Sequence, residues 1–172
     1  KQVTSGKYEV KEFLGYDAEE GSFYYTSNEE SPMRKAVYKI DRKGKKVKLS
    51  TQEGTNSAQF STNMKYYMNR FSNLNTPTLI TLNDNTGKAL TTLLTNDNLK
   101  KNLTGYAVPQ KEFFSFQTSD GTTLNGWMMK PTGFTASKKY PVLMYQYSGP
   151  GSQQVTDAFG ISWETYMAAQ GY

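Results

Sequence analysis

Through the first half of the chain, apolar and polar residues alternate in short runs separated by turn-forming residues. Eight runs are distinguishable, at about 9–16, 22–27, 36–41, 46–51, 56–60, 65–71, 77–83 and 88–94. A period of two puts successive side chains on opposite faces of a pleated strand, so each run is predicted to be a short β-strand. The breaks at Glu20-Gly21, Ser31-Pro32, Lys43-Gly44, Asn73, Asn75-Thr76-Pro77 and Asn85-Thr86-Gly87 carry residues whose backbone preferences suit turns. The runs also repeat. Ser22–Thr26 echoes Met64–Met68, 42 positions further on, and Ala36–Asp41 echoes Thr78–Asn83. Gly44 matches Gly87, and Lys46–Thr51 matches Ala89–Leu94. Four strands in a unit of about 40–45 residues is the pattern of β-propeller blades, although two plain antiparallel meanders would share it. Two blades cannot close a ring, so further blades are expected upstream.

After Leu94 the pattern changes. Residues 96–110 are polar and read as a linker, with one short helical turn at Asn98–Leu103. Glu112–Thr118 and Thr122–Lys130 flank Asp120-Gly121, a strong hairpin signal. A loop at Thr132–Lys139 leads into Tyr140-Pro141-Val142-Leu143-Met144-Tyr145-Gln146-Tyr147. That run is almost wholly apolar and is expected to be a strand buried on both faces. It breaks at Ser148-Gly149-Pro150-Gly151-Ser152, and Ser162–Gln170 then reads as a helix with Ser162 as N-cap and Gly171 as its stop. Hairpin, buried strand, Gly-Pro-Gly loop and helix is how an α/β sheet begins. The expected organisation is therefore mostly β: two four-stranded blades over 1–95, a linker over 96–110, and the opening strands and first helix of a truncated α/β domain over 111–172.

Composition narrows the chemistry. The chain has 172 residues with an apolar share of 36%, but 13 Tyr, 9 Phe and 2 Trp supply large side chains for a core. With neither Cys nor His, it can form no disulfide, no thiolate metal site and no Ser-His-Asp relay of its own. No metal site or cofactor is expected. The net charge of +5 is concentrated in Lys39–Lys48, where Lys39, Arg42, Lys43, Lys45, Lys46 and Lys48 face a single Asp41. This is either an anion-binding patch or a solvated hairpin tip, and no nucleic-acid motif accompanies it, so no nucleic-acid partner is expected. No run of about 18 apolar residues is present to span a membrane, and no signal peptide is visible. The chain opens on Lys-Gln-Val-Thr and stops at Gly171-Tyr172, directly after the helical stretch. Both ends are expected to continue in a longer parent.

The stretch from Lys138 through Tyr140-Pro141, Tyr147-Ser148-Gly149-Pro150 and on to Gln153 resembles the start of the catalytic domain in the prolyl oligopeptidase family of serine peptidases. The continuation into Trp163 and Tyr166, the Asp120-Gly121 hairpin with Gly126-Trp127 and Lys130-Pro131, and the upstream repeat are all most similar to its dipeptidyl peptidase IV branch. The resemblance implies an α/β-hydrolase domain whose oxyanion hole takes a second donor from the loop after the third strand. Tyr147 ends the third strand candidate, and the resemblance implies that its phenol is that donor; phenols keep their proton at neutral pH. Gly149, Pro150 and Gly151 would shape the loop. Family members commonly have Gly where Ser148 stands, a minor departure. No Gly-x-Ser-x-Gly occurs, so nucleophile, acid and base lie outside the chain. Ser148 and Ser152 lack a base and an elbow context and are not nucleophile candidates. Glu29-Glu30 is an acidic pair, but it sits in a turn and is not assigned to binding a substrate amine. Trp127 and Trp163 are read as packing residues.

By resemblance the parent releases N-terminal dipeptides with Pro or Ala at the second residue, through a serine acyl-enzyme. This chain alone would be inactive. Peptides would be the parent's partners, its location periplasmic, secreted or at the cell surface, and its assembly compatible with a homodimer. A tripeptidyl, acylaminoacyl or oligopeptidase branch is a near alternative. A non-catalytic β-rich surface module, with Tyr and Asn suited to glycans, is a distant one.

Overall fold

The structure, a computed structural model, describes residues 2–147 and 149–172. Two units emerge from the packing: residues 1–96 together with Thr156–Phe159, and residues 97–155 together with 160–172.

The first unit consists of two four-stranded antiparallel sheets. β1 (Val10–Asp17), β2 (Ser22–Ser27), β3 (Ala36–Asp41) and β4 (Lys46–Lys48) lie side by side in chain order. So do β5 (Thr55–Phe60), β6 (Tyr66–Asn73), β7 (Thr76–Asp84) and β8 (Ala89–Leu94). The alternation read from the sequence sets which face is buried. In β6, Tyr67, Asn69 and Phe71 are buried while Tyr66, Met68 and Arg70 are exposed. The register pairs Tyr67 with Asn83 and Phe71 with Leu79, so the buried set continues across the strand pair. Residues of both sheets then share one core: Tyr24, Val37, Leu49, Met64 and Tyr67, with Leu14, Ala58 and Phe60 against them. The Phe60 ring packs 4.5 Å from Tyr24 and 4.8 Å from Tyr67, centroid to centroid. Offset aromatic contacts of this kind add to the area they bury. Met64 reaches this core from the β5–β6 turn in a left-handed backbone (φ 57°). Its thioether lies where a side chain on Gly15 would sit, which is why Gly15 carries none. The fourth strand is shorter than the expected 46–51. Leu49 and Ser50 both aim their N–H at the Val37 carbonyl, and this doubled acceptor ends the regular ladder.

The basic stretch is not a bare cationic tip. Lys39 pairs with Glu20, Lys46 with Glu29, and Lys48 with Glu30 at 2.6 Å. Asp41 accepts the N–H groups of Lys43 (2.8 Å) and Lys45 (2.9 Å), which closes the β3–β4 turn.

The second unit contains α1 (Asp97–Leu103), a hairpin of β9 (Lys111–Gln117) and β10 (Thr123–Met129), and α2 (Trp163–Ala169). The hairpin pairs Lys111 with Met129 through to Gln117 with Thr123. Its loop is closed by Asp120, which accepts the Thr122 N–H at 3.0 Å, and by Gly121 at φ 83°. α2 ends in a Schellman motif: Gly171, at φ 97°, donates to the Ala168 carbonyl and Tyr172 donates to that of Met167.

One expectation is corrected. Residues 141–147 form no strand and are not buried; Val142 is 89% and Met144 87% exposed. A strand sandwiched in a parallel sheet exists only with hydrogen-bonded neighbours on both sides. Among the described residues of this unit, β9 and β10 pair with each other and nothing pairs with 141–147. Apolar composition alone does not hold such a segment in a ladder.

Candidate active site

Tyr147 lies at the end of the exposed apolar run, with its side chain 56% exposed. Its ring folds back over the loop that follows. A Cβ built on Gly149 would meet the phenol hydroxyl and stand 2.7 Å from Cζ and 2.8 Å from Cε1. The phenol therefore lies on the Gly-Pro-Gly side of the chain, in space that only a glycine at 149 leaves free. The Ser152 N–H donates to the Gly149 carbonyl at 3.3 Å, closing a four-residue turn. Pro150 and Gly151 occupy its centre, and Gly151 has φ 72°. Proline at the second position and a positive φ at the third are what a type II turn requires. The turn thus brings the loop close under the phenol of a residue that is more than half exposed, and a phenol can donate a hydrogen bond to an incoming oxygen. Ser148 falls outside the described residues, and so does the expectation attached to it.

Both tryptophans make ring contacts within this unit. Tyr145 meets Trp163 edge to face with centroids 6.5 Å apart, and the Lys111 ammonium sits 4.3 Å over the Trp127 ring. An apolar groove of about 560 Å³ lies between the end of α1 and α2, lined by Leu103, Tyr106, Pro109, Ile161, Tyr166 and Ala169. It does not include Tyr147.

Glu29 and Glu30 are both engaged within the first unit. Glu29 accepts from the Tyr25 hydroxyl and from Ser27 Oγ, each at 3.0 Å, and pairs with Lys46. Burial and the adjacent Glu29 carboxylate push the Tyr25 phenol upward, so it stays a donor. With three partners already on this carboxylate, a substrate amine would have to compete for it. No cluster of three metal-ligating side chains occurs among the described residues.

The sequence reading passed over one buried acid of the first unit whose carboxylate and backbone are all engaged. Asp157 is 5% exposed and belongs to the first unit. The Arg34 Nε–H donates to its Oδ2 and the Leu74 N–H to its Oδ1, each at 3.0 Å. Its own N–H donates to the Met33 carbonyl at 2.8 Å, and Thr55 Oγ1 donates to its carbonyl at 2.9 Å. The sequence signal for this was a lone acid in an otherwise uncharged stretch, Val155-Thr156-Asp157-Ala158-Phe159, too weak to name its partners.

Residues 1–78 match the family model described as the dipeptidyl peptidase IV N-terminal region. The crystal structure of Porphyromonas gingivalis dipeptidyl peptidase 4 is 47% identical and superposes with a TM-score of 0.94, over all of this chain and 24% of that one. Dipeptidyl peptidase 4 of Trichophyton rubrum is 31% identical over 173 residues, covering 97% of this chain and 22% of its own length. The chain thus spans about a fifth of the curated relatives it matches.

Proposed function

Because the chain belongs to the dipeptidyl peptidase IV family, we propose that it is a segment of a serine exopeptidase that releases dipeptides from peptide amino termini, with Pro or Ala at the second residue. In this reading the two four-stranded sheets are propeller blades that screen entry by size. Residues 111–172 begin an α/β-hydrolase domain, and 140–147 becomes its third strand once flanking strands of the parent pair with it. Nucleophile, base and acid come from elsewhere in the parent, as does the anchor for the substrate amine, since Glu29 already serves Tyr25, Ser27 and Lys46. The relatives' names favour dipeptide release over the tripeptidyl and acylaminoacyl branches. The same kinship is the ground for a periplasmic, secreted or surface location, which fractionation of the host would test.

The observation that carries the proposal is that the half-exposed Tyr147 lays its hydroxyl over Gly149. During acyl transfer the substrate carbonyl oxygen becomes an anion, and a donor pre-set at that point stabilises the transition state more than the ground state. Its removal is worth about 2.7–4 kcal/mol, or 10²–10³ in kcat. The test is Tyr147→Phe in the full-length parent, assayed on a chromogenic Pro-linked dipeptide. A drop of that size in kcat with KM little changed is expected. Unchanged kcat would refute the role.

A further inference from the structure

Residues Thr156–Phe159 pack as part of the first unit, although in the chain they follow its eighth strand only after the whole β9–β10 hairpin. Within that unit Asp157 bridges the two sheets. Its Oδ2 takes the Arg34 Nε–H and its backbone N–H donates to the Met33 carbonyl, both just ahead of β3 in the first sheet. Its Oδ1 takes the Leu74 N–H, between β6 and β7, and its carbonyl takes the Thr55 hydroxyl at the start of β5, both in the second sheet. Beside it the sheets meet through backbone alone: the Lys35 N–H donates to the Gly54 carbonyl at 3.1 Å and the Asn56 N–H to the Lys35 carbonyl at 2.8 Å.

These contacts select for aspartate. A carboxylate offers two acceptor oxygens and no donor, and here it meets two donors, one of them charged. Asparagine has the same shape, but whichever way its amide turns, its NH2 group faces either the Arg34 or the Leu74 N–H. Glutamate would carry its carboxylate one methylene further into a site where Asp157 is already buried. On its outer side Arg34 is held by Glu53, Nη1 to Oε2 at 2.7 Å, which helps to aim the guanidinium. We infer that the β2–β3 loop, the start of β5 and the β6–β7 turn form a recognition notch for an aspartate, and that its occupant is Thr156–Phe159, a latch that closes this end of the seam between the two sheets. The seam is tied elsewhere too, where Lys65 of the β5–β6 turn pairs with Asp17 at 3.2 Å and Asn85 of the β7–β8 turn donates to Glu20 at 3.0 Å. Those ties use the two sheets' own turns, whereas the latch is brought from further along the chain. Unseating it should therefore loosen one end of the seam and leave the other shut.

The experiment is native-state amide hydrogen exchange on the full-length parent, comparing wild type with Asp157→Asn, Asp157→Ala and Arg34→Gln. In all three the amides of Lys35, Asn56 and Leu74 should exchange at least about tenfold faster, because a buried donor or charge is left without its partner. The amides of Leu49 and Asn85, bonded to Val37 and Lys65 in the same unit, should keep their wild-type rates. Glu53→Gln is the control: Glu53 is 69% exposed, and an ion pair so open to water contributes little, so none of these amides should change. If Asp157→Asn exchanges like wild type, the site does not read the carboxylate and the notch is overturned. If the Leu49 and Asn85 amides speed up as much as the other three, Asp157 adds only general stability and the latch is overturned. Should the Asp157 variants fail to fold, Arg34→Gln decides alone by the same amides, and its failure to fold as well would overturn the latch, since a latch closes sheets that already stand. The readout needs no peptidase activity, so it is separate from the Tyr147 test.

Discussion

Gly149→Ala offers a test in which stability and catalysis should part company. The new methyl would stand 2.7 Å from Tyr147 Cζ and 2.8 Å from Cε1, whereas carbon atoms in contact prefer about 3.5–4.0 Å. One of the two groups must therefore retreat by about 1 Å. The turn is closed by its own hydrogen bond between Ser152 and Gly149, while the phenol is the free end of an exposed side chain. The ring is the part that moves. Moving an exposed ring costs the fold little, so the thermal midpoint should hold within a few degrees. For a hydrogen-bond donor the same movement is severe: displacement by about 1 Å is worth up to 10²-fold, or about 2.7 kcal/mol of barrier. The full-length peptidase carrying Gly149→Ala should therefore show kcat reduced 10- to 100-fold, with KM near wild type, in steady-state assays on a Pro-linked chromogenic dipeptide. An alanine variant within about twofold of wild type would mean that the phenol does its work, if any, away from its position over Gly149. The reasoning would then be refuted.

Two other outcomes follow from the first unit, beside the Tyr147 test above. Glu29→Ala strips the acceptor from the buried Tyr25 hydroxyl and from Ser27, which should cost about 1–3 kcal/mol in urea unfolding. KM for peptides should not change; a tenfold rise would instead make Glu29 the amine anchor. Acid should weaken the first unit. Burial pushes the Asp17 carboxyl upward, but the Glu20 N–H, the Lys65 ammonium and the Glu19 N–H outweigh it and hold the group below its ordinary value. The ion pair with Lys39 does the same for Glu20. A lowered folded pKa contributes stability that is complete above the unfolded value, about 4, and is lost as pH falls through the folded value beneath it. The thermal midpoint should thus fall as pH drops below about 4, and Asp17→Asn should flatten that slope. An unchanged slope in the variant would show that Asp17 carries none of it.

Much of this protein is written in local sequence. Eight runs of alternation, punctuated by Gly, Pro and Asn, became eight strands in two sheets, because strand side chains alternate and turns need particular backbone angles whatever surrounds them. Gly171 ended its helix for the same local reason. Tyr147 was legible as a candidate only through the Tyr-Ser-Gly-Pro context, since nothing in an aromatic at a strand end marks it as chemical. What depended on distant neighbours was not legible. The run 140–147 has the composition of a buried strand, yet burial belongs to the strands beside it and not to its own residues, and here 141–147 are exposed. The basic stretch read as either an anion-binding patch or a solvated hairpin tip, and its spacing could not show that Glu20, Glu29 and Glu30 come from other loops to pair with three of its lysines. Asp157 and Arg34 stand 123 positions apart. No period or motif links residues so remote; only folding, which makes burial of one charge conditional on the other, brings them together.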